Sequence, residues 1–155
     1  MLIRAAEESF LKGIEALGEG RRLEALALFE AAIALERQLG ASRSQPRYLS
    51  YYGLCLALET QRTGDGLELC RESVHAEFYN ADLYCNLGRV LLAGKRRKEA
   101  YQAFRNGLKW EKGHAAIQRE LRAMGLRRRP VLRFLSRSNP INVLLGQMTY
   151  AQRSR

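Results

Sequence analysis

Small and aromatic residues recur along this chain at a nearly fixed interval. Gly13 is followed twelve residues later by Ala25, then by Phe29 and Ala32, and Gly88 twelve later by Ala100, then by Phe104 and Gly107. Between them Gly53 leads to Gly66, Cys70 and Ser73, with one more residue in the turn. The period is 34 residues from Gly66 to Ala100 and 41 from Ala25 to Gly66, because residues 40–46 are inserted. Within a period the apolar positions fall three and four apart, as in Leu83, Leu87 and Leu91 or Ala100, Phe104 and Leu108, which predicts helices rather than strands. The pattern places helices at 2–18, 22–39, 46–62, 66–77, 81–93, 97–111 and 114–124. Gly18-Glu19-Gly20, Gly64-Asp65 and Gly94 read as turns between paired helices. Pro46 suits a helix first turn, where its missing N–H costs nothing. The last helix carries Ile117, Leu121 and Met124 on one stripe and Gln118, Arg119 and Arg122 on the other. That is the form of a capping helix, whose polar outer face closes an array of repeats.

This pattern resembles the tetratricopeptide repeat, most closely over 81–114, where Leu83, Leu87-Gly88 and Leu91 face Ala100, Phe104 and Leu108. Residues 6–39 keep Gly13, Ala25, Phe29 and Ala32 but place Ser9 and Lys12 where large apolar residues are usual. The copy at 47–79 is degenerate, and the Pro that often closes a repeat is missing from all three. The resemblance implies an all-α, right-handed α-solenoid of three helix pairs, with a cap over 114–124. Residues 1–124 then form the repeat domain and residues 125–155 a basic C-terminal extension. Gly88 and Ala100 are expected to let paired backbones approach, with Phe104 filling the space under the next helix. The Arg-Pro-Val-Leu run and the Asn-Pro that follows it resemble the tails of small bacterial tetratricopeptide proteins, which implies no activity.

Composition changes this picture chiefly through charge. The 155 residues carry 26 Lys and Arg against 16 Asp and Glu. Residues 1–94 hold 10 basic and 13 acidic side chains, whereas 95–155 hold 16 basic and 3 acidic. From Gly125 onward seven Arg have nothing to balance them. Such asymmetry suggests a surface for an anionic partner, with Arg127, Arg128, Arg129, Arg133 and Arg137 as its core. The same segment carries Val131, Leu132, Phe134 and Leu135, too apolar to stay in water. We expect these four to pack on the repeat domain, with docking on a membrane or a partner as the alternative. A short helix is expected from Asn139-Pro140 to Leu145. No apolar run reaches the roughly 18 residues of a membrane span, and the N-terminus turns acidic at once, so a cytoplasmic protein is expected.

Enzyme chemistry finds no footing. His75 and His114 lie apart from any second catalytic group, so a surface or capping role is preferred for each. No cofactor is implied: Gly18-Glu19-Gly20 lacks the strand of a phosphate loop. Cys55, Cys70 and Cys85 have neither zinc-ligand nor CxxC spacing. Cys70 holds the slot of Phe29 and Phe104, which makes it core filler; Cys55 belongs to a paired-helix interior, and Cys85 alone is expected toward the groove. Trp110 reads as a packing residue between its helix and the cap, and Tyr48, Tyr51 and Tyr52 as core or interface tyrosines rather than base-stacking platforms.

In tetratricopeptide arrays the first helices of the pairs line a concave surface. The resemblance places Glu7, Phe10, Ile14 and Leu17 there from the first copy, with Arg47, Ser50, Leu54 and Leu58 from the second. The third gives Asp82, Cys85, Arg89 and Leu92, and Arg119 follows on the cap. The family's chaperone-tail clamp uses Lys, Asn, Asn, Lys and Arg, whereas the matching positions here hold Phe10, Ile14, Tyr51, Asp82 and Asn86. That departure argues against recognition of a C-terminal chaperone carboxylate. The expected function is non-enzymatic binding of a peptide or protein segment, acidic partners included, in a mostly aliphatic groove. The alternative is binding of nucleic acid or an anionic surface through 95–155, and steep salt dependence would separate the two.

Overall fold

A computed structural model describes residues 2–125 together with 140 and 141. Over residues 2–125 the chain forms seven helices, and no described residue lies in a strand. They are α1 (Leu2–Gly18), α2 (Arg22–Gln38), α3 (Pro46–Glu59), α4 (Thr63–Ala76), α5 (Ala81–Ala93), α6 (Arg97–Trp110) and α7 (Ala115–Met124). The chain is therefore an all-α repeat solenoid in which α1 packs on α2, α3 on α4 and α5 on α6, each pair also meeting the next. Met124 onward forms a second unit, of which Met124, Gly125, Pro140 and Ile141 are described. Pro140 and Ile141 are helical, where the Asn-Pro pair predicts a helix start. Arg127, Arg128, Arg129, Arg133 and Arg137, and the apolar residues 131–135 expected to dock, lie outside the described residues.

Each pair turns through one residue in the left-handed region: Gly20 at φ 81°, Gln61 at φ 57° and Lys95 at φ 59°. These positions repeat with the sequence period. They correct the expected start of the fourth helix. Gly64 and Asp65 are not the turn but the first turn of α4, because Gln61 reverses the chain and Arg62 pairs with Asp65 at 2.6 Å. The 40–46 insertion is anchored from inside: the buried Glu36 carboxylate accepts the Gln45 backbone N–H at 3.0 Å, one residue before α3 begins at Pro46.

Glycine sets the distance within each pair, by two different means. A Cβ on Gly13 would lie 2.6 Å from Cε1 of Phe29, and one on Gly88 would lie 2.6 Å from Cδ1 of Phe104. Phe104 thus lies over the glycine of its own pair, not under the next helix as expected. In the middle pair the obstacle is backbone: a Cβ on Gly53 would sit 2.9 Å from the Gly66 carbonyl oxygen. Cys70, fully buried in the Phe slot, donates its thiol hydrogen to the Ser50 carbonyl at 3.4 Å.

α7 begins on a histidine. The Ile117 backbone N–H donates to His114 Nδ1 at 3.2 Å, and His114 Nε2 lies 2.9 Å from Asp82 Oδ1. Nδ1 accepting at the helix N-terminus places the ring hydrogen on Nε2, where it donates to Asp82. The capping role expected for His114 is the observed one, and Ile117 is fully buried beneath it.

Candidate functional site

The first helices of the pairs bring together a groove of about 550 Å³ lined by Leu17, Leu54, Leu58 and Leu92, with Ala93 and charged rims. Five of its lining residues, Leu17, Leu54, Leu58, Arg89 and Leu92, come from the positions the repeat pattern assigns to this surface. Leu54 is 1% exposed and forms floor rather than wall. The rims are ion pairs: Arg89 Nε donates to Glu120 Oε1 at 2.7 Å, and Arg22 Nη1 to Glu59 Oε1 at 3.3 Å. Glu120, Arg22 and Glu59 were not anticipated, since their partners lie on other helices. The guanidinium of Arg89 is half-buried, and burial alone would lower its pKa; Cys85 and the hydrogen-bonded Glu120 outweigh that and raise it.

Other expected groove residues go elsewhere. Phe10 is buried, with its ring centroid 4.6 Å from Tyr48 and 5.5 Å from Tyr51, and Ile14 packs against the same cluster. Cys85 is 3% exposed and belongs to the core, which corrects its expected place facing the groove. The reason is plain hydrophobicity: a large ring or a thiol at a first-helix position turns inward when the facing helices leave it room. Arg47 remains partly exposed. It forms a two-pronged pair with Glu7, Nη1 to Oε1 at 3.1 Å and Nη2 to Oε2 at 2.5 Å, and its guanidinium lies 5.1 Å from the ring centroids of both Phe10 and Tyr48. Tyr48 Oη donates to Glu7 Oε2 at 2.7 Å. Burial first, then the Glu7 bond, push the Tyr48 hydroxyl up to about 12. Asp82 stays exposed beside His114, and Arg119 is exposed on α7. The groove cations Arg47 and Arg89 thus already hold carboxylates.

The clamp positions are also spent internally. Asn86, 2% exposed, donates from Nδ2 to Ser50 Oγ at 3.2 Å. Tyr51 packs its ring on Phe29 at 5.6 Å. None of the three thiols is primed for chemistry: burial pushes Cys55 and Cys70 up to about 12 and Cys85 to about 11. Among the described residues no three His, Cys, Asp or Glu side chains converge as metal ligands, and no helix is long and apolar enough to cross a membrane. Trp110 does not pack under the cap as expected. It is 51% exposed, with its ring 5.4 Å from Phe78, itself 55% exposed and 5.6 Å from Tyr79.

Among solved structures, the chain is similar to the Arabidopsis OM64 TPR domain, with a TM-score of 0.61 and 21% identity over 80% of this chain and 97% of that one. The fold is that of a tetratricopeptide-repeat domain. A second likeness is to the first TPR of Spaghetti (RPAP3) bound to the HSP90 peptide SRMEEVD, with a TM-score of 0.60, 16% identity, and coverage of 78% of this chain and 93% of that one. No family model and no curated protein matches the chain.

Proposed function

We propose that this tetratricopeptide-repeat chain is a non-enzymatic protein-interaction module, and that its groove takes the aliphatic side chains of a peptide or protein segment. The observation that carries this reading is the leucine floor of Leu17, Leu54, Leu58 and Leu92 between two rims whose cations are already paired. The RPAP3 domain binds an HSP90 peptide ending in Glu-Glu-Val-Asp. To pair with Arg89 or Arg47, an acidic ligand of that kind would have to displace Glu120 or Glu7, losing charge-assisted bonds already made. Aliphatic anchors meet no such competition. They bury apolar area worth roughly 25 cal/mol per Å², and an amphipathic helix presenting them at i and i+4 suits a groove between helices.

The test is selection from a random peptide library on the full chain, with Leu58→Glu as the counter-selected surface. Expected ligands are rich in Leu, Ile and Met, bind the parent with little change between 50 and 300 mM salt, and lose binding to the variant. Circular dichroism checks that Leu58→Glu keeps its helices. Enrichment of Asp- and Glu-rich peptides with steep salt dependence, or equal binding to the variant, would reject the groove.

A further inference from the structure

The cap helix reaches into the groove with a single carboxylate. Glu120 is the one acidic residue of α7 and the last in the sequence, and its neighbours Arg119 and Arg122 are exposed cations. It lines the groove together with Arg89 and accepts the Arg89 Nε–H at 2.7 Å. The two side chains keep only 31% and 24% of their surface open to water. The groove's other lining cation, Arg22, is half exposed and meets Glu59 at 3.3 Å, so water already screens its charge. Glu7 and Arg47 do not line the groove at all. The shielded charge of Arg89 is therefore the one a ligand would feel most, and Glu120 decides whether it is on offer.

We propose, resting on the groove reading above, that Glu120 sets the class of ligand. The cap's own carboxylate takes the place of a ligand carboxylate on Arg89, which keeps acidic segments out and leaves the leucine floor open. Two effects act together. An incoming carboxylate must break a charge-assisted bond already formed, and the displaced Glu120 then stands beside it as a like charge. Aliphatic side chains meet neither obstacle. Arg119 acts on the same Cys85 thiol as Arg89 does, so it lies at this end of the groove as well. With Glu120 neutralised, the cap supplies no carboxylate there, and the same groove accepts an acidic segment.

The probe is a fluorescein-labelled SRMEEVD peptide, whose Met and Val suit the leucine floor and whose carboxylates suit Arg89. It is titrated into the full chain at 50 mM salt, with anisotropy as the readout. Glu120→Gln should bind it about tenfold or more tighter than the parent, the scale of one bond to a charged group. That gain should shrink toward 300 mM salt. A merely structural role for Glu120 would raise no affinity. Adding Arg89→Gln to Glu120→Gln should abolish the gain, and Glu7→Gln, the same change of charge outside the groove, should show none. Ala is a stronger helix former than Glu, so Glu120→Ala repeats the measurement with α7 intrinsically strengthened. No gain in either Glu120 variant, a gain that survives Arg89→Gln, or an equal gain in Glu7→Gln would overturn the role of Glu120. The groove reading fails separately: it falls if the parent selects no aliphatic peptides, or if Leu58→Glu binds them equally, whatever stands at position 120.

Discussion

The outer helix pairs and the middle pair reach the same fold through different contacts. In the first and third, glycine yields to an aromatic ring: Gly13 to Phe29 and Gly88 to Phe104. In the middle pair two glycines face each other across the interface and the backbones themselves touch, so the slot beneath holds only Cys70. A ring can rotate or be shortened, but a peptide carbonyl cannot be redesigned. A degenerate repeat is therefore not a weak one, because it has exchanged aromatic volume for close approach.

The largest effect should come from the middle pair. Gly66→Ala drives a methyl group into the Gly53 carbonyl and the Ala57 side chain, and should cost about 3 kcal/mol or more. Gly88→Ala should cost about 1–3 kcal/mol, because Phe104 is a side chain, though a buried one. The discriminating measurement is a double-mutant cycle by urea unfolding. Phe104→Leu should recover about 1 kcal/mol of the Gly88→Ala loss, whereas Cys70→Ala should recover nothing for Gly66→Ala. Rescue by Cys70→Ala would mean that the backbones of the middle pair are not what sets its spacing.

The middle pair also carries two buried thiols, Cys70 in the slot that holds a ring in its neighbours and Cys55 on the facing helix. Cys55 and Cys70 are raised from 9.0 to about 12 by burial. An acid whose folded pKa is raised stabilises the fold fully below its unfolded value, and that stability is lost as pH climbs through the folded value. The melting temperature should hold up to about pH 9 and fall by several degrees toward pH 12, with Tyr48 and Tyr51 adding to the fall above pH 10. Cys55→Ala with Cys70→Ala should start from a lower melting temperature and fall less steeply. Equal slopes in parent and variant would place the alkaline sensitivity outside the two thiols.

How far the sequence reveals this arrangement depends on whether a feature is periodic. The helix pairs follow from the 34-residue spacing because each repeat must bury the same small and aromatic positions against its neighbour. The groove is half legible: Leu17, Leu58 and Leu92 are where the pattern places them, but Phe10 and Cys85 are not. Their position faces the groove only if the side chain gains nothing by turning inward. The Glu7–Arg47 and Arg89–Glu120 pairs join residues 40 and 31 apart, and opposite charges at neighbouring groove positions were the signal that Glu7 and Arg47 offered. Trp110 was misplaced because a helix's last residue can lean to either side, and only the position of Phe78 decides which.

The smallest effect concerns the turns, where the three pairs share a conformation but not a residue. The first has Gly20 in the left-handed region, while the others force Gln61 and Lys95 there. A side chain with a Cβ costs about 1–2 kcal/mol in that region, and glycine returns about half of that gain through the greater freedom of its unfolded chain. Gln61→Gly and Lys95→Gly should thus each stabilise by about 0.5–1 kcal/mol, raising the melting temperature by about 2–4 °C. The converse, Gly20→Ala, should lose a similar amount although nothing lies within 4 Å of the added carbon, because its cost is purely conformational. Thermal melts of the three single variants measure this directly. If Lys95→Gly gains and Gln61→Gly does not, the turn of the middle pair is held by more than its dihedral preference. The bond from the Thr63 backbone N–H to the Gln61 carbonyl, 2.8 Å long, would then be the next contact to remove, by Thr63→Pro.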